Sequence, residues 1–204
     1  MTRLLLVRHG TTEFNTTRRF AGYSDIEMST AGYRQVERLR DRLKDEKIDL
    51  VYSSDLRRAL TTAEIILAGR KVDIVACPEL REVNYGDCEG LTFNEIGRDY
   101  PELARGIADL DLQMQFPGGE NFTGFIDRTC RFLDRLSQKE PSAITLIVSH
   151  SGPLRTLICC LLGIDQSHWR QFRIDNASLS IVETYPNRVI ISLLNGTDHL
   201  REDI

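Results

Sequence analysis

The feature that most constrains the fold is a short apolar run that ends abruptly in polar residues. Residues 4–7 are Leu, Leu, Leu and Val, and they are followed directly by Arg8, His9 and Gly10. Such a run predicts a β-strand that is buried on both faces, as in a parallel sheet. Because ligands in open α/β sheets bind beyond the carboxyl ends of the strands, Arg8 and His9 lie where a binding site is expected. Gly10 lets the backbone turn sharply at this point.

The same pattern recurs late in the chain. Residues 144–148 predict a second core strand, which leads through Ser149 to His150 and then to the start of a helix. The carboxyl ends of parallel strands meet at one edge of a sheet. We therefore expect His9 and His150 to lie close together.

Two further strand ends supply charged side chains. The strand predicted at 50–53 leads into a helix that carries Arg57 and Arg58, and Glu82 follows the strand predicted at 72–76. The sequence therefore predicts that arginines, histidines and one carboxylate converge on a single edge.

Strands and helices alternate along the chain, which predicts an α/β fold. The expected architecture is a three-layer α/β/α sandwich with a mostly parallel central sheet, one antiparallel edge hairpin and a small helical lid. The predicted strands are 2–8, 50–53, 72–76, 143–149, 178–184 and 188–194, and the predicted helices are 30–46, 55–68, 121–138 and 153–162.

A length of 204 residues is typical of one globular domain, so we expect a single domain over 1–204. Residues 80–125 are irregular and rich in glycine turns. A long excursion of this kind inside a compact domain is usually a lid or a binding loop. We expect the lid insertion at roughly 91–125.

Composition narrows the range of partners. The formal net charge of −4 gives no general attraction to nucleic acid or to an anionic membrane, and no apolar run approaches a membrane span. The five cysteines are an odd number without metal-binding spacing, which predicts reduced, mostly buried thiols in a cytoplasmic protein. We expect neither nucleic acid nor a membrane as a partner, and both a monomer and a homodimer stay open.

Arginines and two histidines that converge on one point describe an anion site, and a phosphoryl group is its natural occupant. Guanidinium groups match phosphate oxygens in pairs and stay charged at physiological pH. Backbone N–H groups at Ser151, where a helix begins, add donors. A carboxylate such as Glu82 in this setting indicates proton transfer. The sequence has no Asp/Glu cluster typical of a two-metal phosphatase, so we expect no metal ion and no cofactor.

Four short blocks carry these residues in a fixed order. They are Arg8-His9-Gly10 with Thr12 and Asn15; Ser54-Asp55-Leu56-Arg57-Arg58-Ala59 with Thr62-Ala63; Glu82 with Gly86 and Glu89-Gly90; and Ser149-His150-Ser151-Gly152. In this order and at these separations the blocks resemble the histidine phosphatase (phosphoglycerate mutase-like) superfamily. The resemblance covers nearly the whole chain.

The resemblance implies roles for individual residues. His9 would be the nucleophile that attacks phosphorus and forms a phosphohistidine, and Glu82 would protonate the leaving oxygen and then activate water. The family pattern places its arginine directly before an alanine, which selects Arg58 and leaves Arg57 to solvent. The residues that would hold the phosphoryl oxygens are Arg8, Asn15, Arg58 and His150.

The expected activity is that of a metal-independent phosphomonoesterase, with a small-molecule phosphomonoester as its partner. Mutases of the family carry longer lids and a longer C-terminal tail than this chain shows, so the resemblance favours a phosphatase. The run from Leu80 to Thr92 looks most like the α-ribazole phosphatases of cobalamin synthesis, so α-ribazole 5′-phosphate is the expected substrate. A phosphoglycerate mutase, a broad-specificity sugar phosphatase and an inactive phosphate-binding regulatory module are the alternatives. Two roles stay open for Arg19, which are exposure to solvent in a loop and a contact with the substrate.

Overall fold

A computed structural model of the chain describes residues 2–109, 111–137 and 142–201. These residues include six β-strands. The strands are β1 (Thr2–Arg8), β2 (Leu50–Ser53), β3 (Ile74–Ala76), β4 (Ile144–Ser149), β5 (Leu179–Tyr185) and β6 (Arg188–Gly196).

The six strands form one sheet in the order β3-β2-β4-β1-β5-β6. Neighbouring strands from β3 to β1 run parallel. β5 runs antiparallel to β1, and β6 runs antiparallel to β5. The predicted mostly parallel sheet with an antiparallel edge hairpin is confirmed.

Seven α-helices lie in the described part of the chain, together with four short 3₁₀ helices. The α-helices are α1 (Glu13–Thr16), α2 (Thr30–Arg42), α3 (Arg57–Ile66), α4 (Phe93–Asp99), α5 (Pro101–Asp109), α6 (Phe122–Ser137) and α7 (Ser151–Leu162).

The helices cover both faces of the sheet, because successive side chains of a strand point to opposite faces. Leu5 and Val7 of β1 pack with α2 and α3 on one side. Leu4 and Leu6 pack with α6 and α7 on the other. The four residues at positions 4–7 are at most 2% exposed, which explains the unbroken apolar run and confirms the three-layer sandwich.

Some predicted boundaries differ from the observed ones. Helix α2 ends at Arg42 rather than at 46, because Arg70 donates hydrogen bonds to the carbonyl oxygens of Leu43, Lys44 and Glu46 beyond it. These carbonyls therefore need no further helical turn. The last residue of the helix predicted at 121–138 lies outside the described residues.

The region predicted as a lid holds α4 and α5 and then returns through a loop to α6. The side chain of Thr92 caps α4, and the side chain of Glu95 bonds back to the Thr92 backbone. A separate apolar cluster fills this region, with Ile96, Ile107 and Phe116 among its buried members. The same cluster includes Phe125 of α6 and Cys159 of α7, so the predicted helical lid packs against the helices that cover the sheet.

The expectation of five reduced thiols is wrong for one pair. Cys130 of α6 and Cys160 of α7 form a disulfide, with 6.4 Å between their Cα atoms. The two helices pack side by side on one face of the sheet, which brings together cysteines that are 30 residues apart in sequence. Cys77, Cys88 and Cys159 are buried and take no part in this disulfide. Within the described ranges, no helix is both long enough and apolar enough to span a membrane.

Candidate active site

Two histidines meet at the carboxyl ends of neighbouring strands. His9 follows β1 and His150 follows β4, and these strands pair in parallel with Arg8 opposite Ser149. The two imidazole rings have centroids 5.0 Å apart. The predicted juxtaposition of the two histidines is therefore present in the structure.

A hydrogen bond to the backbone fixes the tautomer of the His9 imidazole. Its Nδ1 lies 2.8 Å from the carbonyl oxygen of Gly10, and a carbonyl only accepts, so Nδ1 carries the proton. The lone pair is then on Nε2. Burial lowers the pKa of His9 well below its ordinary value, and the charges of Arg58 and Arg8 lower it further. His9 is therefore neutral at physiological pH with Nε2 available as a nucleophile.

The ring of His150 is held by two protein groups. The Nε–H of Arg58 donates to Nδ1 over 3.2 Å, so Nε2 carries the proton and donates to the hydroxyl of Ser54 over 2.8 Å. Burial lowers the pKa of His150 well below its ordinary value, and Arg58 adds to this effect. His150 is a neutral ring with a fixed orientation.

Arg58 is almost completely buried, at 1% exposure, and most of its donors are already used. Nη1 donates to the carbonyl oxygen of Ser24, and Nη2 donates to those of Ala21 and Gly22. With Nε bound to His150, the guanidinium connects the loop at 21–24 to the second histidine. In this conformation Arg58 therefore lacks the two free donors that a bidentate contact with a phosphate would need.

The loop at 21–24 is itself held by the carboxylate of Glu89. Glu89 accepts hydrogen bonds from the backbone N–H groups of Gly22, Tyr23 and Ser24 and from the Ser24 hydroxyl. A fourth N–H, that of Tyr85, also donates to it. Glu89 of the third block therefore positions Arg58 through the loop at 21–24, a role that no local pattern predicted.

Arg8 presents unused donors at the site. Its Nη1 donates to the carbonyl oxygen of Ile174 over 2.8 Å, whereas its buried Nε has no hydrogen-bond partner in the described part of the chain. Burial lowers the pKa of Arg8 to about 10, so the guanidinium stays charged at neutral pH. A buried cation with an unused donor is a site for an anion.

The carboxylate of Glu82 is 8% exposed and is fixed at the start of α7. One oxygen accepts from the N–H of Val83 and the other from the N–H of Gly152, each over 3.1 Å. Arg128 holds the chain around it by donating to the carbonyl oxygens of Arg81 and Glu82. These contacts place one carboxylate beside the two strand ends that carry the histidines.

Asn15 is oriented by the residues around it. Its Oδ1 accepts from the backbone N–H of Thr12 and from Nδ2 of Asn176, each over 3.0 Å. The Nδ2 group of Asn15 is thereby left for the cleft. Asn176 also donates to the carbonyl oxygen of His9. Sequence analysis missed Asn176, because it comes from the loop before β5 and carries no motif.

These groups surround a cleft of about 410 Å³. Five of the predicted residues line it, whereas Arg58 and His150 lie buried behind them. The predicted residues in the wall are Arg8, His9, Asn15, Glu82 and Ser151, and the additional ones are Phe14, Arg18, Arg19, Phe20, Ala21, Tyr85 and Asn176.

Two further arginines that sequence analysis considered, Arg57 and Arg19, have different environments. Arg57 is exposed and pairs with Glu27 over 2.7 Å, in agreement with its predicted solvent position. Arg19 lines the cleft, donates to the carbonyl oxygen of Gly90 and pairs with Glu95 of α4 over 3.1 Å. Arg19 thus ties the rim of the cleft to the lid.

The arrangement combines a neutral imidazole with a free lone pair, an adjacent cation with an unused donor and a fixed carboxylate. Such a set can transfer a phosphoryl group to nitrogen while a carboxyl group handles the proton of the leaving oxygen. Within the described ranges, no three His, Cys, Asp or Glu side chains are placed to share a metal ion.

Comparison with known proteins also indicates phosphoryl-group chemistry. A family model described as histidine phosphatase superfamily (branch 1) matches residues 4–197. Phosphoserine phosphatase 1 of Hydrogenobacter thermophilus is 33% identical over 202 residues, which cover 99% of this chain and 96% of the relative. Adenosylcobalamin/alpha-ribazole phosphatase of Escherichia coli is 31% identical over 195 residues, or 95% and 96% of the two chains. The crystal structure of the alpha-ribazole phosphatase from Shigella flexneri has a TM-score of 0.89 at 32% identity, with 96% of each chain covered.

Proposed function

The chain belongs to the histidine phosphatase superfamily and is a phosphoric monoester hydrolase, and we propose that it works through a phosphohistidine on His9, without a metal ion. The observation that carries this proposal is the hydrogen bond from His9 Nδ1 to the carbonyl oxygen of Gly10. It leaves the Nε2 lone pair free, in a ring that burial keeps neutral.

The proposed reaction has two steps. In the first, His9 Nε2 attacks phosphorus, the P–O bond to the leaving group breaks, and the protonated carboxyl of Glu82 gives its proton to the departing oxygen. In the second, the Glu82 carboxylate takes a proton from water, the water oxygen bonds to phosphorus, and the P–N bond breaks. Inorganic phosphate leaves and His9 is neutral again. One carboxyl group thus serves first as acid and then as base.

The remaining site residues hold the phosphoryl group in this proposal. Arg8 offers its unused donors, Asn15 offers its amide, and Ser151 offers the backbone N–H at the start of α7. Arg58 supplies positive charge from behind the cleft wall, where it holds His150 as a neutral ring. Positive groups around the equatorial oxygens stabilise the transition state electrostatically.

The substrate is a small phosphorylated molecule, and two leaving groups are candidates. The run at 80–92 favours α-ribazole 5′-phosphate, the class named for the relatives from Escherichia coli and Shigella flexneri. An ester of phosphate with a hydroxy carboxylic acid is the second candidate, in line with the relative named phosphoserine phosphatase. Arg155 and Arg170 both lie against Trp169, have no acidic partner among the described residues, and favour this second candidate.

We further propose that the chain is one catalytic domain and that residues 91–125 act as its lid. The support is the link from Arg19 at the rim of the cleft to Glu95 of α4. A lid in this position would shield the phosphohistidine intermediate from solvent.

The experiment that tests the proposal is rapid quenching with ³²P-labelled substrate. Wild-type protein should give an acid-labile, base-stable phosphoenzyme, and His9→Ala should lose both the label and turnover. A label that persists in His9→Ala would assign the nucleophile to another residue. A parallel screen of phosphate release from α-ribazole 5′-phosphate, phosphoserine, 3-phosphoglycerate and sugar phosphates would separate the substrate classes. Isomerisation of 3-phosphoglycerate without phosphate release would indicate a mutase.

A further inference from the structure

Two arginines stand against a single tryptophan near the cleft. The guanidinium carbon of Arg155 lies 5.5 Å from the centroid of the Trp169 ring, and that of Arg170 lies 5.7 Å from it. Trp169 is buried and packs against Phe122. One aromatic ring therefore gathers two like charges in one place.

Neither arginine has an anionic partner. Among the described residues, neither guanidinium donates a hydrogen bond or pairs with a carboxylate, and the buried Nε of Arg155 is unsatisfied. Nearby Arg173, by contrast, pairs with Asp175 over 2.9 Å. Arg155 is half-buried and Arg170 is exposed. A half-buried cation with an unsatisfied donor beside a second cation is unfavourable unless an anion joins them. The described residues supply no such anion, so a bound ligand is the natural source of one.

The position of Arg155 connects this pair to the cleft. Arg155 lies one turn after Ser151 on α7, and residues four apart share a helix face. Ser151 lines the cleft. Burial lowers the pKa of Arg155, and the charge of Glu82 opposes this effect. Burial also lowers the pKa of Arg8, and the charge of Arg155 adds to that effect. Arg155 is therefore within electrostatic reach of two residues in the cleft wall.

Tyr85 lines the cleft and packs in the same apolar cluster as Trp169, the ring against which both arginines stand. The charges of Arg155 and Arg170 act to lower its pKa, against the larger effects of burial and of Glu82 and Glu89. Burial raises the pKa of Tyr85 well above its ordinary value, so the hydroxyl stays protonated and can donate. A substrate group that extends from the phosphoryl pocket past Tyr85 would approach both cations.

We propose that Arg155, Arg170 and Tyr85 form a second anion subsite that binds a carboxylate on the leaving group of the substrate. The preferred substrates are then phosphate esters of small hydroxy carboxylic acids. This inference rests on the proposed phosphatase function, because it assumes that the phosphoryl group occupies the pocket at His9.

A carboxylate fits this subsite better than a second phosphate. The segment 91–125 holds six acidic residues and only two arginines, Arg98 and Arg105. Both arginines are paired, with Asp99 and Glu102. A surface of this charge disfavours a doubly charged second group, whereas two guanidinium groups and a hydroxyl match the single charge and two oxygens of a carboxylate.

The test compares substrates that differ only in the carboxylate. Phosphoserine is paired with phosphoethanolamine, and 3-phosphoglycerate is paired with glycerol 3-phosphate. We expect the wild-type protein to have a kcat/KM about 10- to 100-fold higher for the carboxylate member of each pair, as for loss of charged hydrogen bonds. In Arg155→Gln and Arg170→Gln, the KM for the carboxylate substrate should rise, so the preference should shrink. The kcat/KM of these variants for p-nitrophenyl phosphate should stay within about threefold of wild type. Arg173→Gln, at an exposed position nearby, is the matched control.

A binding measurement makes the result independent of turnover. Calorimetric titration of His9→Ala gives the dissociation constants of phosphoserine and phosphoethanolamine, and phosphoserine should bind more tightly. In the double variant with Arg155→Gln, this difference in affinity should disappear. Equal affinity for the two esters in His9→Ala would overturn the subsite, as would equal kcat/KM losses for both esters in Arg155→Gln. Failure of the proposed function would be recognised separately, because the wild-type protein would then not hydrolyse p-nitrophenyl phosphate.

Discussion

The carboxylate of Glu82 accepts a hydrogen bond from the backbone N–H of Gly152, with 3.1 Å between the two heavy atoms. A Cβ atom added to Gly152 would lie 2.2 Å from Glu82 Oε1, which is closer than Cβ atoms approach in real structures. Position 152 therefore has no side chain because the carboxylate occupies that space. Gly152 is a positioning residue for the proposed general acid.

Gly152→Ala should displace the Glu82 carboxylate while leaving α7 intact. A shift of about 1 Å in a reacting group costs about 10²-fold in rate. We expect a kcat loss of this size for an alkyl phosphate and a smaller loss for p-nitrophenyl phosphate, measured by phosphate release. Gly97→Ala is the control, because its added Cβ meets only Ala104 at 4.0 Å. Similar activity in the two variants would contradict this reading of Gly152.

Glu82→Gln should separate substrates by their leaving groups. An alkyl alkoxide needs a proton as it departs, whereas p-nitrophenolate leaves without one. We expect a loss of about 10²–10⁴-fold for an alkyl phosphate, the range of general acid catalysis. With p-nitrophenyl phosphate, the phosphoenzyme should accumulate and stopped-flow absorbance should show a burst of nitrophenol.

Equal losses for both substrates in single-turnover phosphorylation would show that Glu82 is not the acid. Glu120, another carboxylate of the lid segment, is poorly placed to replace it. Both of its oxygens pair with Arg128, over 2.6 and 3.0 Å.

Adjacent arginines should differ sharply in their effect on activity. Arg58→Ala removes a buried charge that holds His150 and the loop at 21–24, so we expect kcat to fall by about 10²–10³-fold and the melting temperature to fall as well. Arg57→Ala removes an exposed ion pair and should stay within about twofold of wild type. If Arg58→Ala does not fold, Arg58→Lys keeps the charge without the fork and should also lose activity. A normal Arg58→Lys and an inactive Arg57→Ala would reverse the assignment.

The buried histidines predict how stability depends on pH. His9 and His150 have native pKa values well below those of the unfolded chain. Below about pH 6.5 the unfolded state therefore binds protons that the native state does not, and stability falls as pH falls. Urea unfolding at pH 7.0 and 5.5 should show this decrease, and it should be about 1 kcal/mol smaller in His9→Asn. An identical decrease in His9→Asn would show that His9 is protonated in the native state.

Chelation tests the proposed metal-free mechanism. The phosphoryl pocket is built from Arg8, Asn15 and backbone donors, so EDTA should leave phosphatase activity unchanged. Activity that EDTA abolishes and a divalent cation restores would exclude the mechanism.

The parts of the site that could be predicted from sequence are those written in local patterns. A buried strand followed by a histidine is visible at His9 and at His150, and parallel pairing brings the two together. The positions of these histidines follow from the periodicity of single elements. The choice of Arg58 over Arg57 depends instead on the family pattern, which places its arginine directly before an alanine.

The parts that could not be predicted depend on partners far away in sequence. Asn176 reaches the site from the loop before β5, and Glu89 acts through the backbone of a loop more than 60 residues earlier. The Cys130–Cys160 disulfide likewise depends on how α6 and α7 pack. Only the three-dimensional fold determines such pairings, since nothing in the local sequence distinguishes these side chains from surface or core residues.

The path from Glu89 through the loop at 21–24 to Arg58 and His150 has a consequence for catalysis. Each group in it is already satisfied by another protein group before any substrate arrives. The electric field at the cleft is therefore set when the chain folds, and little dipole reorientation remains to be done as charge develops on the phosphoryl oxygens. In water that reorientation is a large part of the barrier. Here its cost has been moved from the reaction to the folding of the protein.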